Sequence, residues 1–140
     1  MTRSLCTVLA LTSGLLLAGG AASAQAPAPG TKLISPVRGE AELGYLKPVT
    51  KREGNMIVTT IKVKNMASAP IAGLKVDEFW YDKAGEPVTG AQPFRYRKPL
   101  MPGEVIDVVL RVPTNPKMNS NQYKFEHANG TIKATRLPKL

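Results

Sequence analysis

An all-β fold of antiparallel strands, closed as a sandwich or a barrel, is what this 140-residue sequence predicts, and three observations predict it. Apolar residues recur with step two, and beyond residue 24 no window of comparable length keeps a helical apolar stripe. Turn-forming Asn, Gly and Pro separate the alternating stretches at short intervals. The one cysteine, Cys6, lies in an N-terminal apolar run, so the rest of the chain must hold itself together by burying a core.

About seven strands follow, near residues 40–47, 56–65, 72–82, 88–98, 104–112, 121–128 and 131–137. The first is crowded by Pro48 and by "TKREGN", which reads as a turn. In "NMIVTTIKVKN", Ile57, Thr59, Ile61 and Val63 point one way and Lys62 and Lys64 the other, the mark of a strand with one wet face. "PFRYRKPL" alternates Phe94 and Tyr96 with Arg95 and Arg97. "EVIDVVLRVP" places Ile106, Val108, Leu110 and Val112 inward, with Asp107 and Arg111 outward. "NQYKFEHANG" sets Tyr123, Phe125 and His127 on one face. Asn129-Gly130 is the strongest hairpin signal, because a tight hairpin turn needs positive φ at both central residues. Gly85 suits the left-handed position of a longer loop in "DKAGE".

The N-terminus is read as lying outside the fold. Arg3 precedes "LCTVLALTSGLLLAGG", an apolar run too short and too rich in small residues for a comfortable membrane span. "AASAQA" then resembles a cleavage site, so residues 1–24 read as a secretory signal peptide, with a cut after Ala26 as the near alternative. Residues 25–38, opening with "QAPAPGTK", read as a flexible tether, and residues 39–140 as one domain. The expected address is the periplasm or outside the cell. The chain carries 19 Lys+Arg against 10 Asp+Glu; without Arg3 the net charge is +8. An exported basic protein is not expected to meet nucleic acid, whereas anionic lipids, glycans and cell-wall polymers are available to it.

The stretch "KVDEFWYDKAGEPV", residues 75–88, sets three aromatics in a row. In a strand Phe79 and Tyr81 share one face, and Trp80 shares the other with Val76 and Glu78. Trp80 is the candidate central core residue; losing a core Trp side chain costs about 3 kcal/mol or more. Asp82 then opens the turn, its short carboxylate suited to accepting local backbone N–H groups.

At this point the sequence resembles the FxLYD domain, an immunoglobulin-like β-sandwich of secreted and envelope-associated bacterial proteins. "IKVKNMASAPIAGLKVDEFWYDKAGEPV" followed by "LMPGEVIDVVLRVP" carries the resemblance, over roughly residues 56 to 127. Tyr81 and Asp82 match the motif and Trp80 occupies its leucine position. Asn65, Gly85, Pro102, Gly103 and Glu104 fall at the pattern's turns. The resemblance implies an interaction or packing role within envelope systems and no catalytic residues. One departure stands out: Glu78 holds the position of the family's phenylalanine. Either Glu78 forms an ion pair at the sheet edge, with an arginine of "RYR", or a bulge near it turns Phe79 into the core.

Chemistry finds little support in these residues. No Ser lies in a strand-to-helix elbow and no glycine-rich phosphate loop appears, so an enzyme is not predicted and no cofactor is implied. His127 is the only histidine and reads as a packed or rim residue. Met56, Met66, Met101 and Met118 with His127 form a soft-ligand set suited to copper(I), but they lie singly along the chain, and gap-filling is the commoner use of methionine. Asn129-Gly130-Thr131 fits a glycosylation pattern that the hairpin already explains. The expected function is a non-enzymatic, exported module that binds a protein or another envelope component. Phe94, Arg95, Tyr96, Arg97 and Lys98 form the candidate contact strip, since aromatics and arginine are enriched at interfaces. The alternative is electrostatic attachment to anionic polymers or lipids.

Overall fold

The computed structural model describes residues 34–90 and 93–140, so the predicted signal peptide and residues 25–33 of the tether lie outside the described residues. The described chain is all-β and forms no helix. Its strands are β1 (Ala41–Tyr45), β2 (Val49–Glu53), β3 (Met56–Asn65), β4 (Lys75–Tyr81), β5 (Pro87–Gly90), β6 (Phe94–Arg95), β7 (Val105–Pro113), β8 (Ser120–His127) and β9 (Gly130–Arg136).

These strands make one mixed sheet curled so that its halves face each other. In one half β3 is central, with β7 along one side and β1 and β2 sharing the other. In the other half β4 is central, between β8 and the pair β5 and β6. β9 joins the halves. It leaves β8 after the pairs Glu126↔Thr131 and His127↔Gly130, then runs parallel to β1 from Ala41↔Ile132 to Tyr45↔Arg136. That parallel pair is the exception to the antiparallel arrangement the alternation predicts.

Alternation explains the core. Ile61 and Val63 of β3, Val76 of β4, and Val108 and Leu110 of β7 are buried, together with Ala41, Leu43, Ile71, Leu74 and Leu100. Phe94, Tyr96, Tyr123, Phe125 and Ile132 pack around this cluster half-buried, as does Val37. The N–H of Val37 donates to Pro70 O at 2.8 Å, so the chain is bound to the domain two residues before Gly39. Tyr45 and Phe125 meet with ring centroids 5.2 Å apart, closing the side where β1 faces β8.

Four local readings are corrected. Residues 49–53 form β2 instead of part of a turn, paired with β3 from Val49↔Thr60 to Glu53↔Met56; only Gly54 and Asn55 turn. The strand predicted over 88–98 is two short pieces, β5 and β6, both paired with β4. The last hairpin turns on Ala128-Asn129, not Asn129-Gly130, because His127 pairs with Gly130. Gly130 matters for another reason: a Cβ there would collide with the carbonyl of Gly39, whose oxygen accepts from Thr131 N at 3.1 Å. Finally, Trp80 faces the interior but is half-buried at one end of it, and the residues wholly sealed at the centre are aliphatic.

Candidate functional site

The polar end of the interior is built by β2, β3, β4 and β8. Alternation along β4 sends Val76, Glu78 and Trp80 inward, and Glu78 is fully buried. Its Oε1 accepts from Thr59 Oγ1 at 2.9 Å and from Asn121 Nδ2 at 2.7 Å. Asn121 Nδ2 also donates to Tyr123 Oη at 2.8 Å. A hydroxyl carries one hydrogen, and that of Thr59 goes to Glu78; the 3.2 Å contact between Thr50 Oγ1 and Thr59 Oγ1 is therefore a donation from Thr50. Thr50 and Thr59 belong to one half of the sheet, Glu78, Asn121 and Tyr123 to the other, so the carboxylate is a polar strut between them. Glu78 Oε2 and Trp80 Nε1 are shut off from solvent with no hydrogen-bond partner among the described residues. Burial pushes the Tyr123 phenol up to about 12, helped by the Glu78 charge, while the hydrogen bond from Asn121 pulls the other way.

Neither sequence alternative for Glu78 holds. Its partners are Thr59 and Asn121, not an arginine, and Phe79 stays on the outer face at 36% exposure. The irregularity in β4 falls between Trp80 and Tyr81, where β5 shifts register, two residues past Glu78. The buried carboxylate is accommodated because β3, on the facing half, offers a threonine and β8, the neighbouring strand, an asparagine.

Polar residues at the strand ends build turns. Asp82 Oδ1 accepts from Ala84 N at 2.8 Å and Glu86 N at 2.9 Å, and Gly85 takes φ 85°. Buried Asn65 donates from Nδ2 to Leu100 O and Ala69 O, and accepts at Oδ1 from Ala67 N. Gly103 N donates to Asn65 O, and Glu104 Oε2 accepts from Met101 N. Asn65 and Glu104 thereby pin the 66–70 loop and the Pro102-Gly103 turn to the same end of β3.

His127 is buried at 6% exposure, with Nε2 2.8 Å from Gly39 O and Nδ1 accepting from Asn129 N at 3.4 Å. The Nε2–H tautomer serves both contacts, and the side chain fastens the start of the domain to the β8–β9 hairpin. Among the described residues no group of three His, Cys, Asp or Glu side chains could hold a metal ion. Met66 and Met101 are exposed, and Met56 and Met118 half-buried.

Two basic surfaces remain. In the 94–98 strip, Phe94 and Tyr96 turn onto the core, and Tyr96 Oη donates to Glu104 Oε1 at 3.3 Å; Arg95, Arg97 and Lys98 are exposed. Desolvation, and then the Glu104 charge, raise the Tyr96 phenol above its ordinary value. The outer face of β2, β3 and β7 is different. There the row Val49, Thr60 and Val109 crosses three paired strands, with Val49 55% and Val109 40% exposed. Two ion pairs flank that row: Lys62–Asp107 at 2.8 Å on one side and Arg111–Glu53 at 3.2 Å on the other. Sequence reasoning missed this surface because β2 was not recognised as a strand. The outer face of β4 and β8 carries a self-contained network, Lys75–Asp77 at 2.7 Å, Lys75–Glu126 at 3.3 Å and Lys124–Glu126 at 2.7 Å. Asp77, then Glu126, raise Lys75; Lys124, then Lys75, lower Glu126.

What surrounds these surfaces is an all-β protein whose buried polar side chains serve its architecture. No family model matches the chain, and no curated protein matches it in sequence. Among solved structures it is similar to IrmA from Escherichia coli, at 9% identity and a TM-score of 0.48, over 71% of this chain and 94% of that one.

Proposed function

We propose that this chain is a non-enzymatic interaction module, exported to the bacterial cell envelope and built as an immunoglobulin-like sandwich of the FxLYD kind. The observation that carries the reading is the open face of β2, β3 and β7, where Val49, Val105 and Val109 stand exposed among lysines and arginines. Apolar side chains set among the Lys62–Asp107 and Arg111–Glu53 ion pairs, with Lys51 in no ion pair among the described residues, combine contact area with selection of a partner by charge. The residues that match the FxLYD pattern support it from the other direction, since Asn65 and Asp82 hydrogen-bond backbone groups and Glu104 a backbone N–H and the Tyr96 hydroxyl. The export signal read at residues 1–24 supplies the address.

Crosslinking in intact cells tests this reading. Capture of one protein that survives added salt is the expected result. Retention on the envelope that collapses with modest salt, without a captured protein, supports the electrostatic alternative, because exposed charges are screened over about 8 Å at physiological ionic strength.

A further inference from the structure

The geometry points to β2 as the docking edge, and we infer that its partner is an acidic, extended polypeptide segment that adds to the sheet beside β2 and lays side chains over β3. This deepens the proposed function and rests on it. β2 stands at one end of the strand order and pairs only with β3 among the described strands, so its other backbone edge is open. It is exposed along its whole length. An open edge of this kind binds a partner strand through main-chain hydrogen bonds, and side-chain pairing selects which strand.

The chemistry of the partner follows from what β2 presents. Val49, Lys51 and Glu53 share the outer face, while Thr50 and Arg52 alternate to the other side. The Glu53 charge is already matched by Arg111. Lys47, Lys51 and Arg52 make no ion pair among the described residues. The charges left to recruit a partner are therefore all positive. Beside them the surface sinks into an open depression of about 420 Å³ whose lining includes Leu46, Val49, Val58 and Thr60, with Lys47 and Lys51 at hand. A strand that fits carries an apolar residue against Val49 and carboxylates against Lys51 and Arg52.

Lysine and arginine on an edge strand also discourage unwanted pairing. Here that effect has a direction. A second exported copy brings a net charge of +8, without Arg3, and the same cationic edge, and is repelled; an acidic strand is attracted. The 94–98 strip makes the weaker case, because its aromatics are committed to the core and leave exposed cations without apolar neighbours.

The test uses the whole exported protein and a short acetylated peptide, matched to β2 in length, that sets valine opposite Val49 and glutamates opposite Lys51 and Arg52, with threonine at the remaining positions. Fluorescence anisotropy gives the affinity, and backbone amide exchange locates the bound strand. The expected result is saturable binding with slowed exchange at β2 amides, weakened about tenfold or more (about 1.4 kcal/mol) by the double change Lys51→Glu and Arg52→Glu. The same charge change at exposed Lys133 and Lys139 leaves affinity within about twofold, since distant exposed charges are screened. Equal binding of a valine–lysine peptide, protection along β5 or β7 instead of β2, or equal weakening by both double variants overturns the assignment. In cells, a protein captured from a crosslinker at Arg95 and not at Thr50 overturns β2 while leaving the interaction module standing. Salt-labile retention with no protein captured from either position overturns both.

Discussion

The two ends of the interior are held by different physics. Around Ile61, Leu74, Val76 and Val108 the halves of the sheet meet through sealed aliphatic side chains alone. Around Glu78 they meet through a carboxylate, two threonines, an asparagine and a tyrosine. The aliphatic end tolerates variation in shape at a cost proportional to volume lost. The polar end depends on pairing instead of volume, since a buried group deprived of its partner costs more than the bond itself contributes. This difference teaches how an inward-facing strand position can hold glutamate: Thr59 on the facing strand and Asn121 on the neighbouring one both donate to it.

The largest effect expected is at the aliphatic end. Leu74→Ala removes a fully buried side chain and is predicted to lower unfolding free energy by roughly 2–5 kcal/mol, read from the denaturant midpoint. Glu78→Ala comes next, because it strands the hydroxyl of Thr59 and the amide of Asn121; a loss of about 1–3 kcal/mol is expected by the same assay. Glu78→Gln, which keeps an acceptor at Oε1, is predicted to cost about 1 kcal/mol or less. If Glu78→Ala proved as mild as Glu78→Gln, the strut would be ornamental.

Outside the interior the effects shrink. Asp82→Ala frees the N–H groups of Ala84 and Glu86 in an exposed turn and is predicted to cost about 0.5–1.5 kcal/mol. Tyr123 gives an effect that is absent at neutral pH. Its folded phenol titrates at about 12 and its unfolded phenol near the ordinary 10, so the folded state keeps a proton that the unfolded state releases. Stability from this group is intact below pH 10 and falls as pH rises toward 12. Ultraviolet titration is expected to detect a late phenol near pH 12 that Tyr123→Phe removes; an unchanged titration there in that variant would place it elsewhere.

How much of this was legible depended on whether the signal was local. β3, β7 and β8 could be read because each carries its own alternation, and Ile61, Val108 and Leu110 lie buried where the step of two put them. β2 could not be, since every residue from Val49 to Glu53 is exposed and nothing in their order marks an inner face. The parallel pairing of β1 with β9 joins opposite ends of the domain and leaves no trace in either segment. The polar strut was half legible: the position of Glu78 on the inner face followed from its spacing to Val76 and Trp80. Its partners did not, because Thr59 lies 19 residues before it and Asn121 lies 43 after. A pattern that scores carboxylates as surface sends such a residue to the sheet edge or into a bulge. The fold itself needed only the periodicity of its apolar residues, whereas the docking edge is a property of which strands lack neighbours.

The most direct measurement on the central claim is a double-mutant cycle pairing Glu78→Leu with Asn121→Leu, followed by equilibrium unfolding of all four proteins. If the carboxylate and the amide act as one strut across the curled sheet, the double variant will be less destabilised than the sum of the singles, with a coupling of about 1 kcal/mol or more. Costs that add to within about 0.3–0.5 kcal/mol, as for distant independent sites, would contradict it.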